Sequence, residues 1–133
     1  MLTPEEINRR KPIWLALSEL WLDTELEADD LERIAKRMKQ SSFSIHQLRH
    51  IYLEEVAPVL YLNLLSPAGE WVGFDEEWLC SSIVQSIHRS NTALRLAHRL
   101  AQPVMIYATE RHWNKLHAIM VRGSASSAEP PAA

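Results

Sequence analysis

Apolar side chains recur three and four residues apart along most of this sequence, and that spacing limits its possible folds more narrowly than any other feature. Ile13, Trp14, Leu17, Leu20 and Trp21 form one stripe, and Leu31, Ile34, Ala35 and Met38 a second. Ile45, Leu48, Ile51, Tyr52 and Val56 form a third, and Leu79, Cys80, Ile83, Val84 and Ile87 a fourth. Leu94, Ala97 and Leu100 continue the pattern, and Trp113, Leu116 and Met120 close it. A repeat of about 3.6 residues puts each set on one helical face, so the chain is expected to be all-α: a compact bundle of about five helices burying those faces together. With 133 residues, 47% of them hydrophobic, there is enough apolar material for one core, and residues 1–122 are expected to form one helical domain.

Local signals set the expected helix limits. Thr3 with Glu6 and Ser44 with Gln47 have the spacing of capping boxes, and Pro4 suits a first helical position that needs no N–H. Pro12 is expected to interrupt or restart the first helix, Pro58 to end or kink the third, and Pro103 to stop the helix before the last. Asp75 and Thr109 are candidate N-caps, and Ser90-Asn91 marks a break. Two short apolar runs, 59–65 and 104–107, fit a buried helical turn or a strand equally well, so the alternative fold is α+β with a minimal sheet made from them. From Gly123 the tail GSASSAEPPAA has no large apolar residue, and 123–133 is expected to be disordered.

Charge is distributed unequally. Residues 1–80 carry 15 acids and 8 bases, residues 81–133 carry 2 acids and 6 bases, and the whole chain is −3. Six carboxylates fall within ten residues, Asp23, Glu25, Glu27, Asp29, Asp30 and Glu32, with no Lys or Arg between Lys11 and Arg33. A helix start explains Asp29, Asp30 and Glu32 through the helix dipole; it explains Asp23, Glu25 and Glu27 less well. A concentrated acidic rim suits steered capture of a basic protein. No run of about eighteen apolar residues occurs, the N-terminus has no signal-like apolar stretch, and the single cysteine fits a reducing compartment, so a cytoplasmic chain that does not span a membrane is expected.

Catalytic patterns are weak throughout. His46, His50 and Glu54 fall at i, i+4 and i+8, a weak candidate for metal ligation against the ordinary reading of a solvated helix face. Cys80 on an inner stripe reads as a small buried hydrophobe before it reads as a nucleophile. The three glycines make neither a phosphate loop nor a dinucleotide fingerprint, and no cofactor is expected. Glu70, Asp75, Glu76 and Glu77 would have to supply any acid–base pair, beside Trp71 and Trp78. Ile34 to Leu48 has the outline of a helix-turn-helix, with Lys36, Arg37, Lys39, His46 and Arg49 available for phosphates; Lys39 and Gln40 depart from that motif, and the acidic balance of residues 1–80 opposes nucleic acid. Asn63 to Leu79, NLLSPAGEWVGFDEEWL, concentrates Gly and Trp in a turn that either folds back on the core or is offered to a partner.

The blocks RRKPIWLALSELWLDTEL, EEVAPVLYLNLL and SPAGEWVGFDEEWL resemble a family of small bacterial proteins known only as a domain of unknown function. The likeness covers about residues 9–90 and implies no activity and no catalytic residues. The combined expectation is a non-catalytic protein-binding protein, most concretely a cytoplasmic immunity or antitoxin-type protein occluding a basic toxin. Asp23, Glu25, Glu27, Asp29, Asp30, Glu70, Trp71 and Phe74 are its candidate partner contacts. A helix-turn-helix DNA-binding regulator is the alternative, and a small enzyme using the Glu70 to Glu77 carboxylates is the third reading.

Overall fold

The capping signals placed by the sequence operate as hydrogen bonds. In the computed structural model, which describes residues 2–22, 26–65 and 76–128, Glu6 N–H donates to Thr3 Oγ1 and Thr3 N–H donates to the Glu6 carboxylate. Ser44 and Gln47 reciprocate in the same way, and Asn91 Oδ1 accepts from Leu94 N–H. Six helices follow among the described residues, and no strand: α1 Pro4–Leu22, α2 Ala28–Gln40, α3 45–65, α4 Glu76–Arg89, α5 Thr92–Met105 and α6 Glu110–Ala128. The all-α expectation therefore holds. The minimal sheet does not: 59–65 lies inside α3, and 104–107 is the last turn of α5 followed by a turn. Ala57, Pro58 and Leu60 are buried, so this part of α3 is apolar because it runs through the core.

None of the three prolines ends its helix where it stands. Pro12 sits within α1, and both it and Asn8, whose carbonyl loses its helical donor, are exposed. Pro58 is preceded by a π-helical stretch, Ile51–Val56, in which Ala57 N–H reaches the carbonyl of Tyr52. Widening the helix just before a ring that has no N–H and crowds the carbonyl four residues back carries the chain through without a break. α5 continues two residues beyond Pro103 to Met105. The last helix also extends past Gly123 to Ala128, so the expected tail boundary falls inside it.

α3 runs through the middle of the bundle and packs on α1, α4 and α5, while α2 lies along α6 in the most extensive helix pairing. From the first four apolar stripes, Trp14, Leu17, Trp21, Ile34, Met38, Leu48, Tyr52, Leu79 and Ile83 belong to a single buried cluster. Trp113, Leu116 and Met120 of α6 complete it. Tyr52 lies between two tryptophans: stacked on Trp113 with ring centres 4.7 Å apart, and tilted against Trp21 at 5.2 Å. No described helix is long and apolar enough to cross a membrane.

Candidate partner-binding surface

α5 is attached to the bundle by a face that joins polar tethers to the buried Met105. Gln102 Nε2 donates to Glu54 Oε1 of α3 at 3.2 Å, and Arg99 lies 3.7 Å from the same carboxylate. Trp21 Nε1 donates to the carbonyl of Met105 at 3.3 Å, fixing the end of α5 to the end of α1. His98, Ala101 and Gln102 are half-buried and Met105 is buried, so the face marked by 98, 101, 102 and 105 is the inner one. The opposite face carries Ala93, Leu96, Ala97, Leu100, Pro103 and Val104, all exposed. Leu96 is 58% exposed, Leu100 77%, Val104 60% and Tyr107, in the turn just beyond, 84%.

This corrects the expected inward placement of Ala97 and Leu100, while Leu94, 36% exposed, shares the arc of 98, 101 and 105. The segment has apolar residues on two arcs, and spacing alone does not say which arc meets the chain's own core. The hydrogen bonds to Glu54 and from Trp21 select the arc ending in Met105, leaving the richer one outside. Scattered exposed leucines are ordinary, whereas a continuous apolar helix face rimmed by polar residues marks an interaction surface.

Of the candidate partner contacts, Asp23, Glu25, Glu70, Trp71 and Phe74 lie outside the described residues, as does Asp75. Asp30 accepts from Glu27 N–H at 3.0 Å at the start of α2, and its other oxygen lies 3.6 Å from Arg33. Arg33 in turn makes a bidentate pair with Glu19 at 2.9 and 3.0 Å, which holds its guanidinium above the ordinary value. Asp30 is thus engaged in capping and pairing, while Asp29 and Glu32 are exposed.

The remaining candidates are dispersed. His46 and His50 are exposed, but Glu54 is turned to Gln102 and Arg99, and the π-helical stretch containing it breaks the even spacing assumed for the three. No three His, Cys, Asp or Glu among the described residues are placed to hold a metal ion. Burial pushes the Cys80 thiol up, with Lys11 acting in the opposite direction, so this residue is a buried hydrophobe in a groove of about 640 Å³ between α1 and α4. Glu76 and Glu77 line the same groove and are exposed. In the helix-turn-helix candidate, Lys36, Arg37, Lys39 and His46 are exposed, and Arg49 stacks over the Trp113 ring at 5.7 Å. Arg9 bonds Ser42 at 2.6 Å, and Arg9 and Arg10 both lie over Phe43, so α1 is strapped across that motif's turn.

Sequence reasoning missed Glu55. It is 7% exposed, accepts from Trp14 Nε1 at 2.8 Å and pairs with Arg10 at 3.3 Å. Its position three residues after Tyr52 on the inner face of α3 was the available signal. Both oxygens have donors and the group is sealed beneath α1, which makes it a structural tie between helices.

Residues 8–119 match a family described as Domain of unknown function (DUF7079). The chain belongs to this family. The match continues past residue 90, where the blocks resembling such a family end, and takes in α5 with most of α6, so the outward-facing helix is part of the family's domain. No curated protein and no solved structure matches the chain.

Proposed function

We propose that this is a non-catalytic binding protein whose working surface is the outward face of α5. One observation carries the reading: a helix tethered to the bundle through Gln102, Arg99 and the buried Met105, with Leu96, Leu100, Val104 and Tyr107 toward solvent. Helices present such i, i+4, i+8 anchors to another polypeptide's groove or helix. Burial of a single leucine of this kind is worth about 1.5–3 kcal/mol, enough for a few of them to dominate an interface.

In its finer form the reading is a cytoplasmic immunity or antitoxin-type protein that occludes a basic toxin. That form draws on the acidic bias of residues 1–80 rather than on α5, with the exposed Asp29 and Glu32 steering approach. Asp29→Lys with Glu32→Lys is expected to slow association with such a toxin and flatten its salt dependence.

A photo-crosslinking amino acid at position 100, compared with one at Lys36, tests the main reading inside the expressing cell. The expected result is protein adducts from position 100 and few from position 36, both of which are exposed. Equal and sparse adducts from both positions would remove α5 as the working surface.

A further inference from the structure

We infer that the polar groove between α1 and the turn joining α2 to α3 binds a small phosphate monoester, with Arg9 and Arg37 holding the phosphoryl group. The site is separate from the outward face of α5 and does not depend on it.

The groove has a volume of about 460 Å³, and none of the residues lining it is acidic, in a chain whose 17 Asp and Glu outnumber its 14 Lys and Arg. Arg9 enters from α1 and Arg37 from α2. Arg10, Arg33 and Arg99 pair with carboxylates, whereas Arg9 and Arg37 form no ion pair among the described residues. Arg37 also borders a neighbouring groove that holds Glu19 and Glu76, but Glu19 is engaged by both terminal nitrogens of Arg33.

Arg9 is positioned by neutral groups. Its Nη2 donates to Ser42 Oγ at 2.6 Å, and its guanidinium carbon lies 4.8 Å from the centre of the Phe43 ring. A hydroxyl and a ring face fix the fork without cancelling its charge. Ser42 is the acceptor in that bond, so its own O–H remains to donate outward. The turn is held in shape from within: Ser41 Oγ donates to the carbonyl of Met38 and accepts from Phe43 N–H, and Ser44 caps α3.

The donor set selects the ligand. Arg9, Arg37, Ser42, Asn8 and Gln40 all line the groove, are exposed, and can donate. A carboxylate carries one charge and fills one guanidinium fork; a phosphate monoester carries nearly two charges and offers three oxygens, enough for a fork from each wall. The volume lies within the range of small-molecule sites and exceeds what a lone phosphoryl group fills. Pro12, Ile13 and Phe43 line the same groove and give the group that bears the phosphate an apolar wall.

NMR titration of the full chain with phenyl phosphate is expected to give saturable shifts at the Ser42 and Phe43 amides and the Arg9 and Arg37 side chains. Affinity should exceed that for inorganic phosphate, benzoate or dimethyl phosphate. Arg9→Gln and Arg37→Gln are each expected to weaken phenyl phosphate about tenfold or more, as loss of a charged hydrogen bond does. Lys36→Gln, which removes an exposed base of α2 outside the groove, is expected to leave binding unchanged. Arg37 makes no hydrogen bond or ion pair among the described residues, so its variant tests the site even where Arg9→Gln disturbs the turn; thermal melts tell the two apart. Shifts that stay linear in concentration, or equal losses from Lys36→Gln and Arg37→Gln, overturn the inference in favour of diffuse surface charge. Inorganic phosphate or benzoate bound as tightly as phenyl phosphate overturns the assignment to a monoester. An oligonucleotide without terminal phosphates that displaces phenyl phosphate and binds more tightly overturns it in favour of nucleic acid.

Discussion

Two buried polar residues decide how α1, α3 and the turn before α6 lock together. Glu55 is held by Trp14 from one side and Arg10 from the other. Trp14→Phe keeps most of the ring volume and removes the N–H, leaving Glu55 Oε1 without that donor in the interior. The expected cost is about 1–3 kcal/mol in urea unfolding, larger than the loss of ring area would give. Tyr52, whose hydroxyl is 2.7 Å from Thr109 Oγ1, carries a pH signature. Burial pushes its phenol up to about 12, while the unfolded chain ionises near the ordinary 10. The folded state therefore keeps a proton that the unfolded state releases. Its contribution is complete below pH 10 and is lost at about 1.4 kcal/mol per pH unit between roughly 10 and 12. Tyr52→Phe is expected to remove this part of the alkaline slope and to cost about 1 kcal/mol at neutral pH. Identical slopes for the two proteins between pH 10 and 12 would contradict the assignment.

At the scale of single helices, much was legible from the sequence because helix ends and inner faces are written locally. The boxes at Thr3 and Ser44, the break at Ser90-Asn91 and the nine-residue core all follow from short-range spacing. What was not legible depends on contacts distant in sequence. That α3 runs on past Pro58 was not legible because the widened turn before it has no composition signal, and α5 looked core-facing because its tethers, Glu54 and Trp21, are 48 and 84 residues from Gln102 and Met105. The acidic run was read for its charge, although Asp30 caps α2 and pairs with Arg33. These placements lead to a contrast within adjacent helices. Ile83→Ala in α4 removes a fully buried side chain and is expected to cost about 2–5 kcal/mol, whereas Leu100→Ala in α5 is expected to change unfolding of the dilute single chain by less than about 0.5 kcal/mol. Asn91→Ala, which deletes the cap between those helices, should fall between them at about 1 kcal/mol. Thermal melts of the three variants check the order.

On the scale of the whole molecule, the pairing of α2 with α6 closes a long loop in sequence, and the bundle depends on it. α2 is short, polar on one side, and buries Leu31, Ile34, Ala35 and Met38. Its main neighbour is α6, whose inner face is Trp113, Leu116 and Met120. Trp113 also stacks on Tyr52 of α3, so α6 touches the centre as well as the edge of the core. A chain ending at Arg122 keeps Trp113, Leu116 and Met120, and is expected to melt within a few degrees of the full protein. A chain ending at Ala108 loses Trp113, Leu116 and Met120 together and uncovers the inner face of α2. Each such loss costs about 2–5 kcal/mol, and their sum exceeds the 5–15 kcal/mol that holds a typical domain folded, or comes close to it. Circular dichroism of the shorter chain should show a largely unfolded polypeptide with no cooperative melt. A cooperative transition in the chain ending at Ala108 would mean that the bundle closes through α1, α3 and α4 alone and that α6 is an appendage to it, whereas loss of the transition in the chain ending at Arg122 would mean that α6 depends on the residues that follow.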